Sequence, residues 1–157
     1  MRLLFVCTGN TCRSPMAEAL FRRLASDRLN CSEDKLLDHD LDVFSAGVAA
    51  ADSAPASPEA IQILKERGIP LAQHLSQQVT DEMLVKSDLI LAMTPGHLGV
   101  LRNARPDLAS RMRLLQPNGS GVLDPIGGGM DDYRQCADEI TTCLESLLDE
   151  LIQKDTE

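Results

Sequence analysis

The chain has 157 residues, of which 43% are hydrophobic and 25% charged, and its formal net charge is −9. This length predicts one domain with a substantial core, spanning residues 1–157. An acidic chain is a poor ligand for nucleic acid, no apolar run approaches the roughly 18 residues of a membrane span, and no signal peptide is recognisable. We therefore expect a cytoplasmic globular protein that binds neither nucleic acid nor a membrane.

The five cysteines, an odd number, argue against a disulfide framework and fit a reducing compartment. Cys136 and Cys143 lie seven residues apart on the apolar stripe of the last predicted helix, so we expect them in the core. His39 and His97 have no ligand-like spacing to other residues. We predict no metal site and no cofactor.

The hydrophobic pattern predicts strands and helices that alternate along the chain. Ser14 is predicted as the N-cap of the first helix, with Pro15 at its first position, and residues 30–41 are predicted to be an irregular connector. This alternation indicates parallel βαβ units, with ligands bound at the carboxyl ends of the strands. The predicted strands cover 3–6, 41–47, 88–93 and 112–115, and the predicted helices cover 17–25, 58–67, a short segment from 80, 95–103 and 133–151.

The segment between the first strand and the first helix reads Cys7-Thr-Gly-Asn-Thr-Cys-Arg13-Ser14. Successive backbone N–H groups that lead into a helix N-terminus form an anion-binding nest, and its positive potential stabilises a thiolate. Cys7 is therefore the predicted nucleophile, while the guanidinium of Arg13 can hold two phosphoryl oxygens at once. The predicted phosphate-binding residues are Thr8, Gly9, Asn10, Thr11, Cys12, Arg13 and Ser14.

The Cys-x5-Arg spacing alone is weak evidence for a phosphate-binding loop, because about one chain in three of this composition contains it by chance. Its context makes it specific: a strand precedes it, Ser14-Pro15 follows it, and Gly9 and Asn10 tolerate left-handed backbone. A nucleotide-binding P-loop is the competing interpretation, but its Gly-Lys-Ser/Thr ending is missing. The sequence therefore favours a catalytic phosphate loop.

Four motifs follow one another along the chain: Cys7-x5-Arg13-Ser14, Ser45-Ala46-Gly47, His74 and Asp124-Pro125. Together they resemble the low-molecular-weight protein tyrosine phosphatases. The resemblance implies a Rossmann-like α/β fold, with a four-stranded parallel sheet in the order 2-1-3-4 and helices on both faces. It also implies metal-free, two-step hydrolysis of phosphorylated protein side chains through a phosphocysteine, with inorganic phosphate as product or inhibitor.

The resemblance assigns the nucleophile to Cys7 and the general acid to Asp124. A thiolate displaces a poor leaving group only if a proton arrives, and the glycine-rich loop around Asp124-Pro125 can close as a lid. The alternative is that Asp124-Pro125 only forms a turn. The family's buried network, which supports the loop, corresponds to Asn10, Ser14, Ser45 and His74. His74 is alternatively a core histidine, and the family often has an arginine shortly after it where this chain reads Ser76-Gln77-Gln78.

Two positions bear on substrate selectivity, Thr11 and Ile126. Tyrosine-specific members usually have a bulky aliphatic residue in place of Thr11 and paired aromatics after the Asp-Pro pair. Thr11 resembles the protein arginine phosphatase branch, as does Asp124-Pro-Ile-Gly-Gly, although that branch usually has an aromatic in place of Ile126. We favour phosphoarginine, and phosphotyrosine is the alternative.

Two other classes of protein share parts of this pattern. An arsenate reductase of the same fold would need two further cysteines near residues 80–95, where there are none. A noncatalytic phosphoprotein-binding module would need neither Cys7 nor Asp124. Within the loop, Cys12 is either a small buried residue or the partner of Cys7 in a reversible disulfide.

Overall fold

The structure, a computed structural model, describes residues 1–154. Four strands form one parallel sheet in the order β2-β1-β3-β4, which confirms the predicted topology. The strands are β1 (Arg2–Cys7), β2 (Asp42–Gly47), β3 (Leu89–Ala92) and β4 (Met112–Leu114).

Five α-helices and two 3₁₀ segments connect and cover these strands within the described residues. The hydroxyls of Ser57, Thr80 and Thr94 each cap a helix by accepting a hydrogen bond from a backbone N–H of the first turn. No helix within residues 1–154 is long and apolar enough to cross a bilayer. The helices are α1 (Arg13–Leu29), α2 (Pro58–Glu66), α3 (Asp81–Lys86), α4 (Pro95–Ala104) and α5 (Met130–Lys154), and the 3₁₀ segments are Glu33–His39 and Pro106–Arg111.

The predicted start of the first helix is wrong. Helix α1 begins at Arg13, and Cys12 occupies the N-cap position without a side-chain capping bond. The Ser14 hydroxyl is unavailable as a cap because it lies 2.9 Å from the Cys7 sulfur. A tertiary contact thus overrides the local Ser-Pro signal.

The connector predicted for residues 30–41 is also only partly irregular, since most of it is the 3₁₀ segment Glu33–His39. Leu36 in that segment is buried in the core. Helix α1 continues four residues past its predicted end at residue 25, as far as Leu29. Its last turn is largely polar, which conceals the helical period, and Arg28 there pairs with Asp149 of α5.

Strand β1 is an unbroken apolar run from Leu3 to Cys7 and is buried on both sides. Leu3 and Phe5 belong to the cluster that packs with α1, α2 and α5, while Leu4 and Val6 belong to the cluster with α3 and α4. The helices therefore cover both faces of the sheet.

The order of the strands reverses between β1 and β3, so the segments that follow these two strands diverge at the carboxyl edge of the sheet. Residues 8–12 leave β1 at this edge, and α4 begins shortly after β3. The loop of residues 115–129 follows β4 and returns to the same edge, where Val122 N donates to Met93 O over 2.7 Å. Three separate parts of the chain thus meet at the end of β1.

Candidate active site

Residues 7–14, which we call the cup, run from the last residue of β1 into the first turn of α1. Asn10 adopts left-handed backbone with φ of 54°, as expected for a tight turn, whereas Gly9 does not. Asn10 and Ser14 are fully buried, and Cys7 is 2% exposed. The cup is therefore a packed structure that its own polar side chains hold in shape.

The Cys7 sulfur lies 2.9 Å from Ser14 Oγ. Asn10 Nδ2 donates to the same oxygen over 2.8 Å, so the hydroxyl proton of Ser14 can point at the sulfur, with Ala46 O at 3.4 Å as its other acceptor. A hydroxyl donor and a helix N-terminus both favour the charged form of a cysteine. The geometry thus gives the Cys7 sulfur a hydroxyl partner at the start of α1.

Asn10 is the centre of the buried network. Its Nδ2 also donates to Ser45 Oγ at 3.0 Å, its Oδ1 accepts from Gln77 N at 3.0 Å, and His74 Nε2 donates to its carbonyl at 2.8 Å. Ser45 Oγ in turn donates to Glu18 Oε2 at 2.7 Å. The structure brings together the four residues expected in this network and adds Glu18 and Gln77.

Arg13 is 3% exposed, and its guanidinium is held from two sides. Nη1 donates to Val122 O at 3.1 Å, and Nη2 lies 3.2 Å from Asp124 Oδ2 and 3.5 Å from Thr8 Oγ1. Among the described residues, its buried Nε has no hydrogen-bond partner. A buried N–H without a partner is costly, so this planar fork is suited to an oxyanion in the cup.

Asp124 reaches the cup from the loop that follows β4. Its Oδ1 accepts from Ile126 N at 3.1 Å and lies 3.9 Å from Cys12 Sγ, while Oδ2 contacts Arg13. The side chain is 43% exposed. Its carboxyl group therefore lies between the cup and solvent, and the side chain of Ile126, two residues further on, is exposed.

Cys12 differs from Cys7 in its surroundings. Burial, together with the nearby charges of Cys7 and Asp124, raises the pKa of the Cys12 thiol to about 12. A thiol that stays protonated at neutral pH is a poor nucleophile.

Neighbouring Thr11 is anchored through its backbone, since its carbonyl accepts from Ser57 N at 2.8 Å.

His97 was not predicted as part of the site. It belongs to the first turn of α4, and its Nε2 lies 2.7 Å from Thr8 Oγ1 in the cup. Burial and the nearby positive charge of Arg13 lower the pKa of His97 to about 4. The spacing of His97 to other candidate metal ligands carries no information about this contact. The sequence feature that indicates a position near the cup is a histidine in the first turn of the helix that follows a buried central strand.

A parallel sheet with a Cys-x5-Arg cup at its carboxyl edge and a carboxylate above it defines a cysteine-dependent phosphatase. Residues 2–157 match the family model described as low molecular weight phosphotyrosine protein phosphatase. The chain belongs to this family.

Similar proteins carry two different names. The protein-arginine-phosphatase of Bacillus subtilis (strain 168) is 39% identical over 156 residues, covering 96% of this chain and 97% of its own. A low molecular weight protein-tyrosine-phosphatase of Streptomyces coelicolor is 35% identical, covering 94% of this chain and 91% of its own. Among solved structures, a C7S mutant of the YwlE arginine phosphatase with a phosphorylated active-site serine has a TM-score of 0.85 and 37% identity, covering 96% of this chain and 95% of that one.

Proposed function

We propose that this protein is a phosphatase that hydrolyses phosphoarginine in proteins through a phosphocysteine at Cys7. The observation that carries the proposal is the placement of the Cys7 sulfur beside Ser14 Oγ and of the Arg13 guanidinium beside Asp124, all at the cup. Nucleophile, anion clamp and proton donor are the three groups that this chemistry requires.

In the first step, Arg13 and the backbone N–H groups of residues 8–14 hold the phosphoryl oxygens, and the Cys7 thiolate attacks phosphorus. The bond from phosphorus to the leaving nitrogen of arginine breaks, and the carboxyl proton of Asp124 goes to that nitrogen. In the second step, the Asp124 carboxylate takes a proton from water, which attacks the phosphocysteine. The P–S bond breaks, inorganic phosphate leaves, and the Ser14 hydroxyl stabilises the thiolate of Cys7 as it departs.

The buried network has a positioning role in this proposal. Asn10 ties the cup to Ser45 on β2 and to the segment that contains His74 and Gln77. In a cup held in this way, the hydrogen-bond donors are already oriented before the substrate binds. Donors oriented in advance stabilise the charge that develops in the transition state.

The aromatic residues of the chain support phosphoarginine over phosphotyrosine. Only four are present, and Phe5, Phe21 and Tyr133 are buried in the core, while Phe44 on β2 packs in the cluster on the opposite face of the sheet. None of them can form a wall for a phenyl ring at the mouth of the cup. Thr11 and the name of the Bacillus subtilis relative point to phosphoarginine. The family description and the Streptomyces coelicolor relative keep phosphotyrosine as the second candidate.

The proposed partner is a phosphorylated protein, and inorganic phosphate is the proposed product and competitive inhibitor. We propose a cytoplasmic location, because all five cysteines are free and a catalytic thiolate persists in a reducing compartment. One sheet carries the cup and the Asp124 loop, which supports a single phosphatase domain.

The test compares Cys7→Ser with Cys31→Ser, which changes a cysteine outside the cup. Wild type and Cys31→Ser should hydrolyse para-nitrophenyl phosphate and a phosphoarginine peptide, with a lower kcat/KM for the matched phosphotyrosine peptide. Cys7→Ser should lose turnover yet bind inorganic phosphate, and mass spectrometry should detect a trapped phosphoserine after exposure to substrate. Normal turnover by Cys7→Ser would overturn the mechanism, and a preference for the phosphotyrosine peptide would overturn the substrate assignment.

A further inference from the structure

Both ring nitrogens of His97 contact threonine hydroxyls. Nε2 lies 2.7 Å from Thr8 Oγ1 in the cup, and Nδ1 lies 3.0 Å from Oγ1 of Thr94, the N-cap of the same helix. The histidine is 7% exposed. The imidazole is therefore fixed in position between the start of α4 and the cup.

The ring is neutral at physiological pH, since burial and the charge of Arg13 disfavour the imidazolium. A neutral imidazole donates from one nitrogen and accepts at the other. If Nδ1 accepts the hydroxyl proton of Thr94, then Nε2–H donates to Thr8 Oγ1. In the other tautomer, the Thr8 hydroxyl donates its proton to Nε2 and therefore has no proton to donate to a ligand.

The contacts of Thr94 favour the first arrangement, because Thr94 Oγ1 already accepts from His97 N over 3.2 Å and its hydroxyl proton is then available to Nδ1. Arg13 Nη2, which can only donate, lies 3.5 Å from Thr8 Oγ1. When both Arg13 and His97 approach as donors, the hydroxyl proton of Thr8 must point away from both of them. Thr8 is exposed at the cup, so the direction that remains is open to a ligand that enters the cup.

We propose that His97 is a positioning residue that donates from Nε2–H to Thr8 and so turns the Thr8 hydroxyl proton toward the phosphoryl group in the cup. This inference rests on the proposed phosphatase function. It makes the Thr8 side chain an additional donor beside Arg13, and hydrogen bonds to charged oxygens are stronger than neutral ones. His97 contributes through Thr8 and touches no reacting atom.

The first experiment determines the tautomer by long-range ¹H–¹⁵N NMR correlation of the histidine rings in the full chain at neutral pH, with assignment by comparison with His97→Gln. We expect a proton on Nε2 and none on Nδ1, with and without inorganic phosphate. A proton on Nδ1, or an imidazolium, would overturn the proposal. This readout needs no turnover, so it stands even if the proposed enzymatic function fails.

The second experiment is a double-mutant cycle on the affinity for inorganic phosphate, measured by calorimetry with His97→Leu, Thr8→Val and the double variant. Each single change should weaken binding by about tenfold, the scale of one hydrogen bond to a charged group. The double variant should bind no more weakly than Thr8→Val, because His97 acts through that hydroxyl. Additive losses of about a hundredfold would contradict the proposal.

The conservative change His97→Gln provides the control for folding. A glutamine amide can place an N–H near the position of Nε2, so this variant should bind phosphate within about threefold of wild type if the donor is what matters. A loss in His97→Gln equal to that in His97→Leu would mean that the ring serves only packing. If His97→Leu fails to fold, the glutamine variant and the NMR tautomer still decide the question.

Discussion

Asp124 Oδ2 lies 3.2 Å from Arg13 Nη2, so the proposed acid is paired with the proposed clamp. The Arg13 side chain is 4% exposed and that of Asp124 is 43% exposed, which means that the carboxylate reaches the guanidinium from the solvent side. A phosphoryl group that enters the cup competes for the same Nη2 donor. We therefore expect substrate entry to release the carboxyl group from Arg13 and leave it near the leaving group.

Replacement of Asp124 by asparagine tests this relationship through two opposite effects. Asp124→Asn cannot deliver a proton, so kcat should fall most for alkyl phosphates and least for para-nitrophenyl phosphate, whose leaving group needs little protonation. The same change removes the anion that competes at Arg13, so inorganic phosphate should bind severalfold more tightly. Leaving-group dependence of kcat and calorimetry measure the two effects.

Asp131→Asn is the matched control, because Asp131 is exposed and pairs with Arg134 on α5. It should leave both quantities unchanged. Equal losses of kcat for aryl and alkyl phosphates in Asp124→Asn would argue against an acid role for Asp124.

The cup could be predicted from the sequence because its signals are local. Strand β1, the loop and α1 are contiguous, so Cys7 and Arg13 share the cup by chain connectivity alone. His97 and Gln77 could not be predicted in the same way, since they contact Thr8 and Asn10 across 89 and 67 residues of chain. Ser14 failed as a predicted N-cap for the same physical reason: a partner in the fold, Cys7, holds its hydroxyl.

Gly47 shows a requirement that the motif alone left unexplained. A Cβ at this position would lie 2.3 Å from Thr8 O and 3.0 Å from Asn10 N, both backbone atoms of the cup. Backbone cannot swing aside as a flexible side chain can. Gly47→Ala should therefore lower the free energy of unfolding by about 1–3 kcal/mol and weaken phosphate binding, as urea unfolding and calorimetry can measure.

Gly99→Ala provides the contrast for Gly47→Ala. Gly99 lies inside α4, and within residues 1–154 no atom other than its chain neighbours and the backbone of its own helix lies within 4 Å of its would-be Cβ. Alanine there should raise the free energy of unfolding by about 0.5–1 kcal/mol, because glycine is a poor helix former. If Gly47→Ala were as stable and as active as Gly99→Ala, the cup would not depend on the close approach of β2.

The pKa of His97 predicts a pH dependence of stability. The folded state holds this pKa near 4, against 6.5 for an unperturbed histidine. Between these two values the unfolded chain binds more protons than the folded one, so the free energy of unfolding falls as pH drops from about 6.5 to about 4. The loss attributable to His97 should be about 3 kcal/mol in total.

Urea unfolding at pH 7.5 and 4.5 can isolate this contribution by comparing wild type with His97→Gln, since the carboxylates titrate equally in both proteins. Wild type should lose about 2–3 kcal/mol more between these two conditions than the glutamine variant. Identical losses would mean that His97 titrates normally in the folded protein.

Thr11 offers the sharpest test of substrate class. Its carbonyl is anchored by Ser57 N at 2.8 Å, so a change of side chain should leave the backbone of the cup in place. A phosphoarginine presents a polar guanidinium just beyond phosphorus, which a hydroxyl at the cup can pair with, whereas a phenyl ring offers it nothing. Sites that hydrogen-bond one substrate discriminate strongly, because the wrong substrate leaves their groups unpaired.

Thr11→Ile removes the hydroxyl and adds apolar bulk, while Thr11→Val removes the hydroxyl at nearly constant volume. Both should shift the ratio of kcat/KM for phosphoarginine over phosphotyrosine peptides by at least about tenfold toward phosphotyrosine, equivalent to about 1.4 kcal/mol. A shift in Thr11→Ile alone would assign the effect to bulk rather than to hydrogen bonding. If kcat/KM falls equally for both peptides, Thr11 only shapes the cup, and phosphotyrosine becomes the better substrate assignment for this enzyme.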